Sequence, residues 1–283
     1  MKSNIKTILL TGASGFLGRT VYSRLQKEGY SVIPLVEKPA GLAGEIIIDL
    51  GDPEFISKLP PLSRLDAVIH TAARIDFSSR QDPAFFEINT LATHRLAKFS
   101  QEKKAHFIFT SSIAVFGNQA RNIDEKTIIN PESSYGLSKW LAEELIKNDC
   151  VSFSILRFPG IFGRNGGGHL GLNKAIGEAL AGRAPKLAGP GSGRRNYIFV
   201  EDAAEVIFFS LKNKLQGTYF CGGTDKLPIR KILEKLCDAF LPGKKIIEEN
   251  GPDSFDQIVG LSSPLPAART FQEAFDFIKN KSV

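Results

Sequence analysis

The stretch Ile5-Lys6-Thr7-Ile8-Leu9-Leu10-Thr11-Gly12-Ala13-Ser14-Gly15-Phe16-Leu17-Gly18-Arg19-Thr20-Val21 decides how the chain is read. A short apolar run ends at the first glycine, and Phe16, Leu17, Val21 and Leu25 then recur at helical spacing before Gly29. The pattern predicts a strand, a glycine turn and a helix. Glycines at 12, 15 and 18 let the backbone turn tightly, approach a pyrophosphate and pack the helix on the sheet, while the helix N-terminus supplies aligned N–H dipoles. The spacing is Gly-x-x-Gly-x-x-Gly, which departs from G-x-G-x-x-G, so a merely tight strand-to-helix turn is the competing reading.

Further strands are expected at 32–36, 45–49, 66–70, 107–110 and 151–156. A long helix opens at Asp82-Pro83, a cap followed by proline, and shows Phe85, Ile88, Leu91, Leu96 and Phe99 on one face. Another helix opens near Ser134. Repeated strand-helix-strand units imply an α/β fold with a doubly wound parallel sheet of the Rossmann type. From Gly160 onward glycines and prolines interrupt short helical patches, which predicts a smaller C-terminal substrate-binding module. The expected division is a dinucleotide-binding domain at 1–157, with 194–215 returning to it, and a substrate module at 158–193 and 216–283.

Composition bounds the partners. With 283 residues, 42% hydrophobic and 23% charged, the chain has the make-up of a globular protein with a large core, which excludes a disordered or collagen-like chain. Its net charge of +6 suits an anionic ligand but is spread along the sequence, so a solvated basic surface is the better reading, and no nucleic-acid partner is expected. Cys150, Cys221 and Cys237 have no C-x-x-C spacing, and His70, His94, His106 and His169 lack ligand spacing. No disulfide framework and no metal are expected, and a cytoplasmic setting fits. No apolar stretch is long enough for a membrane span.

Four further places carry chemistry. Glu37, after the second strand, is where an acidic residue would bond an adenosine ribose; it points to NAD, with NADP kept open by Lys38. Asp49, followed by Leu50, is placed to reach an adenine amino group or to serve as a turn cap. Tyr135 and Lys139 are four apart on a helix and share a face, so the ammonium would lower the phenol pKa and make it a usable acid or base. Ser111 and Ser112 follow the fifth strand, at the carboxyl end where ligands bind in open α/β sheets.

These motifs, with His70-Thr71-Ala72-Ala73 and Leu156-Arg157 leading to Gly160-Ile161-Phe162-Gly163, resemble the extended short-chain dehydrogenase/reductase family, more narrowly its NAD-dependent epimerase/dehydratase branch. The resemblance implies that Tyr135 is the acid/base, that Lys139 binds the nicotinamide ribose, and that Ser112 is the catalytic hydroxyl with Ser111 its rival. It implies that Gly12, Gly15, Phe16, Leu17 and Gly18 surround the pyrophosphate, Asp49 and Leu50 the adenine, and Ala72 and Ala73 the dinucleotide backbone. Asn89 would support the active-site backbone, Pro159 would pass the nicotinamide carboxamide, and Arg195 would grip a nucleotide-sugar diphosphate. Trp140 would pack in the helix pair through which relatives form homodimers.

Departures from the pattern bear on the reaction. Ile113 and Ala114 stand where family dehydratases carry an acidic pair, and Gly160 where sugar-nucleotide members commonly have asparagine. A second phosphate-binding arginine is not evident, since Arg269 sits in a different kind of segment. The expected activity is hydride transfer at a secondary alcohol or ketone, as a nucleotide-sugar 4-epimerase or ketoreductase. The alternatives are a reductase or dehydrogenase of a non-nucleotide substrate, such as a hydroxysteroid or dihydroflavonol-like ketone, and a non-catalytic dinucleotide sensor.

Overall fold

The computed structural model describes residues 6–75 and 83–281. Ile5 of the expected first strand and the expected cap Asp82 lie outside them. Seven strands form the central sheet: β1 (Thr7–Thr11), β2 (Ser31–Val36), β3 (Ile46–Ile47), β4 (Ala67–His70), β5 (His106–Ser112), β6 (Phe153–Phe158) and β7 (Gly217–Phe220). Their order is β7-β6-β5-β4-β1-β2-β3. The order reverses between β1 and β4, and the strands from β3 to β5 pair in parallel, with Ile8 opposite both Val32 and Ala67. Ile8, Leu9, Leu10, Val68, Ile69, Phe107, Ile108 and Phe109 are all fully buried. Such unbroken apolar runs are what a sheet covered on both faces requires.

The helices of this layer are α1 (Phe16–Lys27), α2 (Ala92–Glu102) and α3 (Ser134–Asp149). Leu96, Phe99, Ala142 and Ile146 from α2 and α3 share one core cluster with Val68, Phe107 and Phe109 of the sheet. The expected apolar face of the helix after Pro83 needs correction, because Phe86–Leu91 is a π-helical segment. Its wider turn adds a residue and rotates the helix. Leu91 is thereby turned to solvent, while Asn89, Thr90 and Thr93 are buried.

The chain separates into two compact units, the first comprising Met1–Gly117, Ile129–Arg157 and Ala204–Tyr219, the second Asn118–Ile128, Phe158–Ala203 and Phe220–Val283. The returning segment is thus Ala204–Tyr219 instead of 194–215, and Asn118–Ile128 groups with the second unit because its Asn122–Ile123 strand pairs with Ile258–Val259. Helix α5 (Val200–Asn213) passes from the second unit into the first at Ala204.

The second unit holds α4 (Gly171–Leu180), α6 (Ile229–Phe240) and α7 (Phe271–Asn280). Its helices are regular, with 10, 12 and 10 residues, where the sequence suggested short patches. The prolines fall between helices, and Pro228 directly precedes α6. Phe162, Phe199, Phe271 and Phe275 form its aromatic core, with ring centroids 5.3 to 6.1 Å apart. These ring contacts make the four phenylalanines part of the packing of this unit.

Candidate active site

The glycine turn follows β1 at its carboxyl end. Gly12 has φ +65°, and a Cβ there would lie 2.7 Å from Ala72 N, so the turn presses on the backbone after β4. Gly15 caps α1 without any side-chain hydrogen bond, and the first turn of α1 carries no acidic residue. The helix N-terminus therefore keeps its N–H groups and positive dipole end for an anion, which is the fit a dinucleotide pyrophosphate needs. At Gly18 a Cβ would stand 2.0 Å from Gly12 O. Gly18→Ala is expected to cost at least about 2 kcal/mol, since a clash of backbone with Cβ cannot be relieved by a rotamer change. A variant melting at the wild-type temperature would contradict this packing.

The positions proposed for the adenosine end lie at the next strand ends. Glu37 is exposed immediately after β2. Asp49 Oδ1 accepts a hydrogen bond from Gly51 N at 2.8 Å, so it serves as a turn cap, and half-buried Leu50 packs against the core. Ala72 N donates to Thr11 Oγ1 at 3.4 Å, and Ala73 follows it, half-buried.

A second cluster forms where β5 ends. Ser112 is extended and caps a short 3-10 turn (Ile113–Phe116), its Oγ accepting from Ala114 N at 3.1 Å. Helix α3 is capped by Ser133, whose Oγ accepts from Gly136 N. A Cβ on Gly136 would be 2.3 Å from Ala114 O, so the helix can approach this turn only with glycine there. That approach brings the buried phenol of Tyr135 into hydrogen bonding with Ser112. Lys139, also buried, donates from Nζ to Thr110 O at 2.9 Å and lies 4.4 Å from the Phe109 ring centroid.

The Ser111 hydroxyl is committed elsewhere. It donates to Glu143 Oε1 at 2.5 Å, on the face opposite to that of Ser112, as alternation along a strand dictates. Of the two rivals, Ser112 is the one beside Tyr135.

Burial governs the proton affinities. It pushes the Tyr135 phenol up to about 12, outweighing the hydrogen bond with Ser112, so the expected lowering by Lys139 does not emerge. Burial pulls Lys139 down to about 7, with the Glu143 carboxylate opposing it. His70 falls to about 3 through burial and the nearby Lys139 charge, and is neutral.

Hydrogen bonds join the two clusters. Thr93 Oγ1 donates to Asn89 O at 2.7 Å, so it must accept from His70 Nε2 at 2.8 Å. Neutral His70 then carries its proton on Nε2, and Nδ1 accepts from Thr11 Oγ1 at 2.6 Å. Asn89 bonds the backbone of Arg74 in both directions and donates to Ser138 Oγ at 3.1 Å, and Ser138 donates to Tyr135 O. The chain of contacts runs from the glycine turn to the helix of Tyr135. His70, Thr93, Thr11 and Glu143 were not assigned to the site from sequence; the one available signal was Glu143 at a four-residue interval after Lys139.

Pro159 and Arg195 belong to the second unit. There Arg195 Nη1 donates to the carbonyls of Arg194 and Phe255, and the guanidinium also bonds Tyr197. Among the described residues no group of three or more His, Cys, Asp or Glu is arranged to hold a metal, and no helix is long and apolar enough to cross a membrane.

A Rossmann sheet with a glycine turn after its first strand and a Ser, Tyr and Lys cluster after its fifth defines the class of extended short-chain dehydrogenase/reductases. The chain belongs to the NAD dependent epimerase/dehydratase family, whose sequence profile matches residues 8–222. It is thus an enzyme of that type, using a nicotinamide dinucleotide. It is similar to a Methanocaldococcus jannaschii protein assigned as a UDP-glucose 4-epimerase, with 31% identity over 73% of this chain and 74% of that one. It is also similar to the N-acetyl-alpha-D-glucosaminyl-diphospho-ditrans,octacis-undecaprenol 4-epimerase of Escherichia coli O157:H7, with 30% identity over 77% of this chain and 67% of that protein. In fold it matches the crystal structure of UDP-N-acetylglucosamine 4-epimerase from Bacillus cereus, with a TM-score of 0.83 and 24% identity over 98% of this chain and 96% of that one.

Proposed function

We propose that the protein is an NAD-dependent epimerase acting at a single secondary alcohol carbon of a nucleoside-diphosphate sugar. The observation that carries the reading is the buried Ser112–Tyr135 hydrogen bond, with Lys139 one helical turn on. NAD, when bound, supplies a hydride acceptor that later becomes the donor. Gly12, Gly15, Phe16, Leu17 and Gly18 would hold its pyrophosphate, Lys139 its nicotinamide ribose, and Glu37 the adenosine ribose in preference to a 2′-phosphate. Asp49 and Leu50 would border the adenine, and Ala72 and Ala73 the dinucleotide backbone.

Ser112 would hold the substrate oxygen while Tyr135 takes its proton and afterwards gives it back. A phenol near 12 is almost wholly protonated at neutral pH, so little phenolate stands ready to take a proton. The positive charges of Lys139 and of an oxidised nicotinamide are what would lower it on demand. Ile113 is buried, and neither it nor Ala114 can act as an acid or base, so these groups support hydride exchange at one carbon better than elimination of water.

One observation favours a second reading, a reductase or dehydrogenase of a non-nucleotide ketone. The space beside Gly160, where sugar-nucleotide members commonly carry asparagine, is filled by Tyr197 and Leu170, whose carbons lie 2.7 and 2.9 Å from a Cβ placed there. Arg195, the proposed diphosphate residue, is partly engaged by backbone carbonyls. A thermal-shift panel separates the two readings. UDP, dTDP and their sugars are expected to raise the melting temperature in the presence of NAD, because a ligand specific for the folded state stabilises it. Stabilisation by apolar ketones alone would favour the second reading.

A further inference from the structure

We propose that Glu143 is a positioning residue of the reaction: its buried carboxylate, gripped by Arg157 and Ser111, is the counter-charge that holds Lys139 as a cation beside Tyr135. Glu143 lies one turn beyond Lys139 and two beyond Tyr135, so the three share a face of α3. Its side chain is wholly buried. It accepts from Arg157 Nε at 3.1 and 3.2 Å, from Arg157 Nη2 at 2.6 Å, and from Ser111 Oγ at 2.5 Å.

Stability does not explain why charges stand here. A buried ion pair is expensive to desolvate, and apolar side chains of similar volume often replace one without loss. Location offers the explanation. Ser111 lies between Thr110, whose carbonyl takes the Lys139 hydrogen bond, and Ser112, which bonds Tyr135. One carboxylate thereby fixes the end of β5 through Ser111 and acts electrostatically on Lys139 from α3.

Among the described residues, the groups about Lys139 can be named. They are Tyr135 and Glu143 on its own helix, the Phe109 ring and Thr110 O on β5, and neutral His70 on β4, while Arg157 on β6 and, at 3.9 Å, Lys147 on α3 are cations paired with Glu143. Burial draws Lys139 toward the neutral amine, and Glu143 is the group that opposes it. Without the carboxylate charge Lys139 loses its proton more readily.

The inference rests on the reading of Tyr135 and Lys139 as the reacting pair, and its test reads Lys139 directly. In full-length protein carrying lysines labelled with 13C at Cε, the Lys139 signal is assigned by its loss in Lys139→Met and titrated by NMR. Glu143→Gln is expected to lower its midpoint by about one pH unit or more, and Glu143→Gln/Arg157→Met, which removes both charges, by about half a unit, as Coulomb attraction at an effective dielectric near 20 suggests. The double variant carries the test if the single one does not fold. An unmoved midpoint overturns the proposal even if turnover falls, because the role would then be structural. A lowered midpoint in a protein that turns over no nucleotide sugar upholds the proposal and counts against the proposed function alone.

Discussion

Tyr135→Phe is expected to lower kcat by about 10²- to 10⁴-fold, the range general acid–base groups contribute, while NAD binding stays within a few-fold of wild type. The phenol is bonded to Ser112, and the phenylalanine ring fills the same buried volume. Loss of the hydroxyl removes one buried hydrogen bond, a stability cost of about 1 kcal/mol, so the variant should fold. Steady-state kinetics beside NAD titration checks both halves. A kcat near wild type would remove Tyr135 from the chemistry.

Lys139→Met gives the second large effect, and in two directions. Turnover should collapse, because the cation beside the phenol is gone, yet the variant should be more stable than wild type at pH 7 and below. The ammonium titrates at 10.5 in an ordinary environment and at about 7 when buried here. Between those values the unfolded chain binds more protons than the folded one, so Lys139 destabilises the fold below pH 7 and ceases to do so as pH rises toward 10.5. The gain in Lys139→Met should therefore be largest at pH 6 to 7 and fade by about pH 10. Its size is on the order of a few kcal/mol, since each pKa unit corresponds to about 1.4 kcal/mol and the hydrogen bond to Thr110 O and the Phe109 ring offset part of the burial penalty. Denaturant melts of both proteins across that pH range measure it. A variant less stable than wild type at pH 6.5 would show that these contacts outweigh desolvation.

Much of the first unit was legible because its signals are local. The apolar runs, the glycine turn and the four-residue interval between Tyr135 and Lys139 each depend on neighbours in sequence. The π-helical segment was not legible, since one extra residue per turn leaves no mark on a 3.6-residue pattern, and Asn89 was placed by resemblance alone. Arg157 reads as a lone charge in a strand otherwise free of charged residues, but its partner is 14 residues away on another element. The same limit applies to Ser111 and Ser112: adjacency makes them equivalent in sequence, and only the pleat of β5 sends one to Glu143 and the other to Tyr135. In the second unit the prolines were read as interruptions of helices, whereas their fixed φ places them in the connections between helices.

The most direct test of hydride exchange on a nucleotide sugar is to mix the protein with NAD and UDP-N-acetylglucosamine or UDP-glucose, and to follow reduced nicotinamide by absorbance and the sugar by proton NMR. The account predicts a transient or small steady fraction of reduced nicotinamide and growth of the 4-epimer at constant total sugar. Neither signal, with a protein that binds NAD and a UDP-sugar tightly, would contradict it.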